Sequence, residues 1–200
     1  PCMVKAQVPT GKRGKAGGIR AAHSADEARS LAETILGMTI DGHPVEAVLL
    51  EERAAIAREF YAAILTDTAS RSPMVLFSTE GGMDIEEVAE TRPDALRRHR
   101  VDLDRGFGLE EARALVSGLD LGEAGREVPG ILAALYGVSG TIDAELIEIN
   151  PLALLADGRV VALDCKLTLD DAAAFRQPDL APAAAAEPMT ELEREGLAQG

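Results

Sequence analysis

Tryptophan is absent from the 200-residue chain, and all aromatic residues together make up 3% of it. That leaves little surface on which bases could stack, and an excess of 34 Asp plus Glu over 20 Lys plus Arg, a formal net charge of -14, opposes a phosphate backbone. General nucleic-acid binding is excluded. Cysteine is equally scarce: Cys2 and Cys165 lie far apart with no Cys-x-x-Cys or His spacing around them, so neither a disulfide framework nor a thiolate metal site is indicated. No apolar run approaches the roughly 20 residues of a membrane span. The N-terminus also lacks a signal-peptide core, so the expectation is a cytoplasmic protein without a membrane partner. An initiator Met is missing as well, and the start at Pro1 reads as a fragment or a processed product.

What the chain does have is an ordinary globular balance, 46% hydrophobic and 27% charged, with one local exception. Gly11-Lys12-Arg13-Gly14-Lys15-Ala16-Gly17-Gly18 packs cations and glycines together, and from Lys5 to Arg20 the basic residues meet no acid before Asp26. Glycines let backbone N–H groups approach an anion while Lys and Arg supply charge, and phosphate is the natural ligand. The stretch matches neither the Walker A nor the dinucleotide-binding pattern, so by itself it is equally a solvated basic loop.

Periodicity predicts a mixed α/β chain. Residues 3–8 alternate and stop at Pro9, a strand that carries Lys5 into the glycine loop. Ser24-Ala-Asp-Glu27 is a capping box, and with Gly37 as the stop it predicts a helix over 25–36. Strands are expected at 45–52, 59–66 and 74–79, the last two as an antiparallel hairpin, then a short helix at 84–89 after Gly81-Gly82. Helices at 109–119 and 127–136, the second with Pro129 in its first turn, precede strands at 145–154 and 159–167. One domain is expected over 1–180. The Ala- and Pro-rich stretch 181–200 reads as a linker with a helical turn at 190–197.

Polar residues stand in the last two strands where a half-buried sheet should be apolar, and the turn length decides whether they meet. A two-residue loop, Asp157-Gly158, would put Asn150 and Asp164 on opposite sides of the sheet. A three-residue loop, Ala156-Asp157-Gly158 with Gly158 left-handed, sets Leu155 opposite Arg159, Asn150 opposite Asp164 and Glu148 opposite Lys166. An amide and a carboxylate held side by side are hard oxygen ligands that suit Mg²⁺, which takes the rest of its shell from water and phosphate. An edge hairpin with one cross-strand ion pair is the alternative reading.

Val4-Lys5-Ala6-Gln7-Val8, Arg13-Gly14-Lys15-Ala16-Gly17-Gly18, Ser78-Thr79-Glu80-Gly81-Gly82, Glu148-Ile149-Asn150-Pro151-Leu152, Leu163-Asp164-Cys165-Lys166-Leu167 and Phe175-Arg176-Gln177-Pro178 occur in one order over most of the chain. In these motifs the sequence resembles the nucleotide-binding ATP-grasp part of the β subunit of succinate-CoA ligase and relatives such as malate-CoA ligase. The resemblance implies the ATP-grasp fold, antiparallel or mixed sheets flanked by helices. It also implies that Lys5, Lys12, Arg13 and Gly14 hold the phosphates of ATP or GTP. Glu51, Ala54 and Glu59 would complete the nucleotide pocket, and Asn150 and Asp164 would bind Mg²⁺. The γ-phosphoryl then passes to a histidine on a CoA-binding α subunit, with Glu148 steadying the phosphohistidine, and on to the acid before CoA forms the thioester.

Three features depart from the family pattern. Lys12 replaces the first Gly of a Gly-Arg-Gly triplet, Cys165 replaces a common Gly, and the chain looks truncated at both ends, short of a C-terminal CoA-ligase domain. Acetate- or citrate-specific relatives and an interaction domain without turnover are the competing readings. His23, His43 and His99 read as surface residues, and Arg92–Arg105 as a solvated face.

Overall fold

The computed structural model describes residues 1–11, 13–180 and the positions 192, 195 and 196. Lys12 and, apart from those three positions, the expected linker at 181–200 lie outside the described residues. The described chain falls into two compact units, 1–53 and 54–180.

In the first unit, β1 (Cys2–Gln7) is the middle strand of an antiparallel sheet. β2 (Ile19–Ala22) flanks it on one side. Then follow α1 (Ala25–Leu36), a small hairpin of β3 (Thr39–Ile40) and β4 (His43–Pro44), and β5 (Ala47–Glu52) on the other flank of β1. Half of the expected capping box forms: the Ser24 hydroxyl accepts from Glu27 N at 3.1 Å, while the Glu27 carboxylate accepts from the N–H of His23, one residue before the cap, at 2.7 Å. Alternation along β1 turns Val4 and Ala6 toward Ala28 and Ile35 of α1. Lys5 consequently projects from the other face.

The second unit is one antiparallel sheet. Its strands are β6 (Ile56–Asp67), β7 (Ser72–Ser78), β8 (Leu96–Arg100), β9 (Ala144–Leu155), β10 (Val160–Ala162) and β11 (Cys165–Leu169), ordered β10-β9-β6-β7-β8 with β11 also on β9. Between them run α2 (Ile85–Thr91), α3 (Leu109–Leu115) and α4 (Val128–Thr141). Even residues of β6 (Phe60, Ala62, Ile64) face the main core with Val75, Phe77, Ala112, Leu115, Val128 and Leu132. Odd residues face the other way, where Tyr61, Ala63, Leu76 and Leu96 pack against Ile85 and Ala89 of α2.

β9 keeps its apolar residues on the core face by breaking its own alternation. Phe60 pairs with Leu152 and Ala62 with Ile149, so Asn150 and Pro151 together oppose Tyr61. This bulge adds one residue, and both Ile149 before it and Leu152 after it join the same core cluster. Pro151 has no N–H to give a ladder, so the irregularity falls where it costs least.

Several expectations shift. Asp164 interrupts the strand expected over 159–167, which splits into β10 and β11. α3 ends at Leu115, short of 119, ahead of a turn with Gly118 at φ 77°. α4 runs on to Thr141 despite Gly137 and Gly140, because buried positions such as Leu132 and Ser139 outweigh propensity. The arginine cluster contains an unforeseen strand, β8, paired to β7 with Phe77 opposite Arg97. His99 is half-buried rather than on the surface, its ring 5.1 Å from that of Phe107 in an edge-on contact.

The Phe175-Arg176-Gln177 motif has a structural use. Arg176 Nη2 donates to Asp143 Oδ1 at 2.7 Å and Gln177 Nε2 to Asp143 Oδ2 at 2.8 Å, tying the segment after β11 to the α4–β9 turn. Hydrogen bonds from Arg176 and then Gln177 hold the Asp143 carboxyl below the usual carboxylate range. A depressed folded pKa means that stability is present above the unfolded value of about 3.9 and is lost as pH falls through the folded one. Asp143→Asn is therefore expected to lower the melting temperature at pH 7, with the gap to the parent chain closing below the ordinary Asp range. Thermal melts by circular dichroism at both pH values check this.

Candidate functional site

The expected site residues fall into two groups, one in each unit. In the first, the β1 alternation delivers Lys5 to the face away from α1, where it is 8% exposed and its ammonium pairs with the Glu51 carboxylate of β5. The register makes this a diagonal pair, since Lys5 lies opposite Leu49 and Met3 opposite Glu51. A near-buried cation beside its counter-ion can be handed to a stronger anion without ever being left bare. The glycine loop closes onto β1: Ala6 N donates to Gly18 O at 2.7 Å, Gly18 N to Arg13 O at 2.9 Å, and Gly17 N to Gly14 O at 3.0 Å. Gly18 suits this close approach, because a Cβ would stand 2.6 Å from Ile40 Cδ1 and 3.1 Å from Ala6 Cβ and force the neighbours to shift. Arg13 Nη1 donates to Ala6 O at 2.8 Å, which ties the loop's guanidinium to the β1 backbone.

In the second group the turn register settles the geometry. Leu155 N donates to Arg159 O at 2.8 Å, Gly158 N donates to Leu155 O at 3.0 Å, and Gly158 has φ 88°. The loop is thus the three-residue form. Glu148 pairs with Lys166, and Asn150 N donates to Asp164 O at 3.3 Å, so Asn150 and Asp164 are cross-strand neighbours. Glu148 shares the face of Tyr61 and Ala63, with Ala63 directly opposite it on β6. Glu59, also on β6, has its carboxylate against Gly82: a Cβ there would meet Glu59 Oε2 at 2.5 Å. Ala54 begins the second unit and is partly exposed.

Burial pushes the Glu148 carboxyl above the usual range. Lys166 opposes that shift, the like charges of Glu86 and Asp164 add to it, and a hydrogen bond with Asn150 pulls it back. Burial, then Glu148 and Glu86, also raises the Tyr61 phenol above its ordinary value. The Cys165 thiol is likewise pushed up, first by burial and then by Asp164 and Glu148, which disfavours the thiolate. The hairpin supplies one carboxylate and one amide oxygen, a donor set that fits a hard divalent ion. Among the described residues no group of three or more His, Cys, Asp or Glu is arranged to hold a metal, so an ion at Asn150 and Asp164 would draw most of its shell from water and ligand oxygens.

Sequence reasoning missed the contact that organises this group. Asn150 Oδ1 accepts from Gly82 N at 2.8 Å and Asn150 Nδ2 donates to Met83 O at 2.8 Å. The Gly81-Gly82 pair was the available signal, read from the sequence as a turn and as part of a family motif, without a link to Asn150. Tyr61 and Glu86, which face Glu148, carried no signal in the sequence.

Antiparallel sheets backed by helices, with a cation-bearing glycine loop ahead of an amide–carboxylate hairpin, place the chain in the mixed α/β class of nucleotide-grasping folds. The particular family follows from comparison: the ATP-grasp domain profile matches residues 1–154, and the chain belongs to that family. It is 45% identical over 179 residues to the β subunit of a GDP-forming succinate-CoA ligase from Thermus thermophilus, covering 90% of this chain and 47% of that protein. It is 48% identical over 180 residues to the ADP-forming counterpart from Rubrobacter xylanophilus, covering 89% and 47%. The chain thus spans about half the length of the curated relatives it matches. Among solved structures, an ATP citrate lyase from Methanothrix soehngenii in complex with citrate and coenzyme A gives a TM-score of 0.73 at 24% identity, over 94% of this chain and 43% of that one. That likeness speaks to fold alone. No helix among the described residues is long and apolar enough to cross a membrane.

Removing Lys5 should leave Glu51 half-buried without its counter-ion. Lys5→Met is expected to cost about 1–2 kcal/mol, and adding Glu51→Gln to restore part of the loss, because the uncompensated charge goes with it. Urea denaturation of the two variants and the parent chain measures the difference.

Proposed function

We propose that the chain is the nucleotide- and Mg²⁺-binding portion of an ADP- or GDP-forming acid-CoA ligase of the succinate or malate type. The cross-strand placement of Asn150 and Asp164 carries this reading, and the identity to succinate-CoA ligase β subunits supports it. Lys5, Lys12, Arg13 and the Gly14 backbone hold the nucleotide phosphates, and Glu51, Ala54 and Glu59 line the nucleoside side. Asn150 and Asp164 hold Mg²⁺, which when bound neutralises charge on the phosphate oxygens.

Phosphoryl transfer asks a protein mainly for positioning and charge stabilisation. Lys5 exchanges Glu51 for a phosphate oxygen. The γ-phosphoryl passes to a histidine of a partner α subunit that also binds CoA, then to the acid carboxylate, and CoA displaces phosphate to give the thioester. Glu148 meets the incoming imidazole: a carboxyl shifted upward by burial can share a proton with the ring nitrogen and orient it.

Mg-ATP or Mg-GTP is expected to raise the melting temperature of the 200-residue chain, a ligand at 100 times its dissociation constant being worth about 2.7 kcal/mol. Asp164→Ala should abolish the metal-dependent part, and equal shifts in both proteins would overturn the metal assignment. With γ-labelled nucleotide the chain alone stays unlabelled, and label on His23, His43 or His99 would overturn the two-subunit mechanism.

A further inference from the structure

Asn150 lies in the β9 bulge, outside the ladder with β6, and its N–H bond to Asp164 O on the hairpin side sets its register but not which way its amide turns. The Gly82–Met83 backbone does. Gly82 N donates to Oδ1 and Met83 O accepts from Nδ2, both at 2.8 Å. A flipped amide would set its N–H₂ against the Gly82 N–H and its oxygen against the Met83 carbonyl, two contacts between like groups. The loop therefore decides which end of the Asn150 amide is oxygen. An amide oxygen has two lone pairs, so accepting from Gly82 leaves it competent as a ligand.

The loop is itself anchored on β6. Gly81 N donates to Glu59 O at 3.2 Å, and a Cβ on Gly81 would lie 2.3 Å from Phe60 O, a contact only glycine permits. Gly82 has φ 69°, and its α-carbon sits against the Glu59 carboxylate. A continuous path of contacts runs from Glu59 through Gly82 to the Asn150 oxygen.

We propose that the Gly81-Gly82-Met83 loop is the positioning element of Asn150, fixing its amide oxygen toward the divalent ion and linking the ion to Glu59. This rests on the metal reading under Proposed function. It assigns to the loop what partners behind metal ligands generally do, where mutation costs about 10–100-fold in metal affinity.

The test uses the 200-residue chain, Mn²⁺ followed by electron paramagnetic resonance in the presence of ADP, and amide hydrogen exchange at Gly82 without metal. Gly82→Ala combines a left-handed backbone with a clash at Glu59, and is expected to weaken Mn²⁺ about tenfold or more. Asn150→Asp gives a second, independent readout that survives any misfolding of the glycine variant. It keeps the ligand oxygens and adds charge, yet sets an oxygen against the Met83 carbonyl. On charge alone it binds Mn²⁺ more tightly; through the loop it binds more weakly, with faster exchange at the Gly82 amide. Unchanged Mn²⁺ affinity in folded Gly82→Ala, or tighter binding in Asn150→Asp, overturns the positioning role while loss of binding in Asp164→Ala keeps the metal site. Unchanged affinity in Asp164→Ala overturns the metal reading itself.

Discussion

The three-residue turn Ala156-Asp157-Gly158 fixes everything on the last hairpin, because side chains in a sheet alternate and a slip of one residue exchanges the faces. Gly158 at φ 88° takes the left-handed position that closes the turn in this form. Asp157 reinforces it, accepting from Arg159 N at 3.1 Å and from Arg159 Nε at 2.9 Å. From there one register carries across the gap between β10 and β11, through Asn150 and Asp164, to Glu148 and Lys166. The opposite edge of β9 obeys a second constraint, the bulge at Asn150–Pro151, which satisfies the core with Ile149 and Leu152 at once. One strand thus serves a regular neighbour on one side and an irregular one on the other, and Asn150 stands where the two demands meet.

Much of this was legible in residue order. The Ser24 helix cap and the β1 alternation that brings Lys5 out are local rules with local evidence, whereas residue order left the Asp157–Gly158 turn open between two lengths, only one of which sets Asn150 beside Asp164. What escaped was long-range. β8 reads as Leu-Arg-Arg-His-Arg, a solvated face by composition, and becomes a strand only because β7 offers it a ladder. The bulge depends on what packs beneath β9. The capture of Gly82 by Asn150 joins residues 68 apart in the chain, a contact that no window of sequence displays. Lys5 was legible as projecting from a strand and Glu51 entered only through the family resemblance, and their ion pair required knowing that β5 lies next to β1.

The charge pattern follows the same division. An acidic chain concentrates cations on the glycine loop and keeps a half-buried carboxyl, Glu148, among Glu86, Asp164 and Lys166. Burial first, and the like charges gathered on this face after it, raise the carboxyl and the neighbouring Tyr61 phenol together.

β8 is the outermost strand of its sheet among the described residues, and it exposes Arg97, Arg98 and Arg100. Two such borders brought together would oppose guanidinium to guanidinium across a spacing of about 5 Å. Copies of the protein are accordingly driven apart along the line where their main chains could otherwise zip into a shared ribbon, which guards a crowded solution of this chain against fibrous growth.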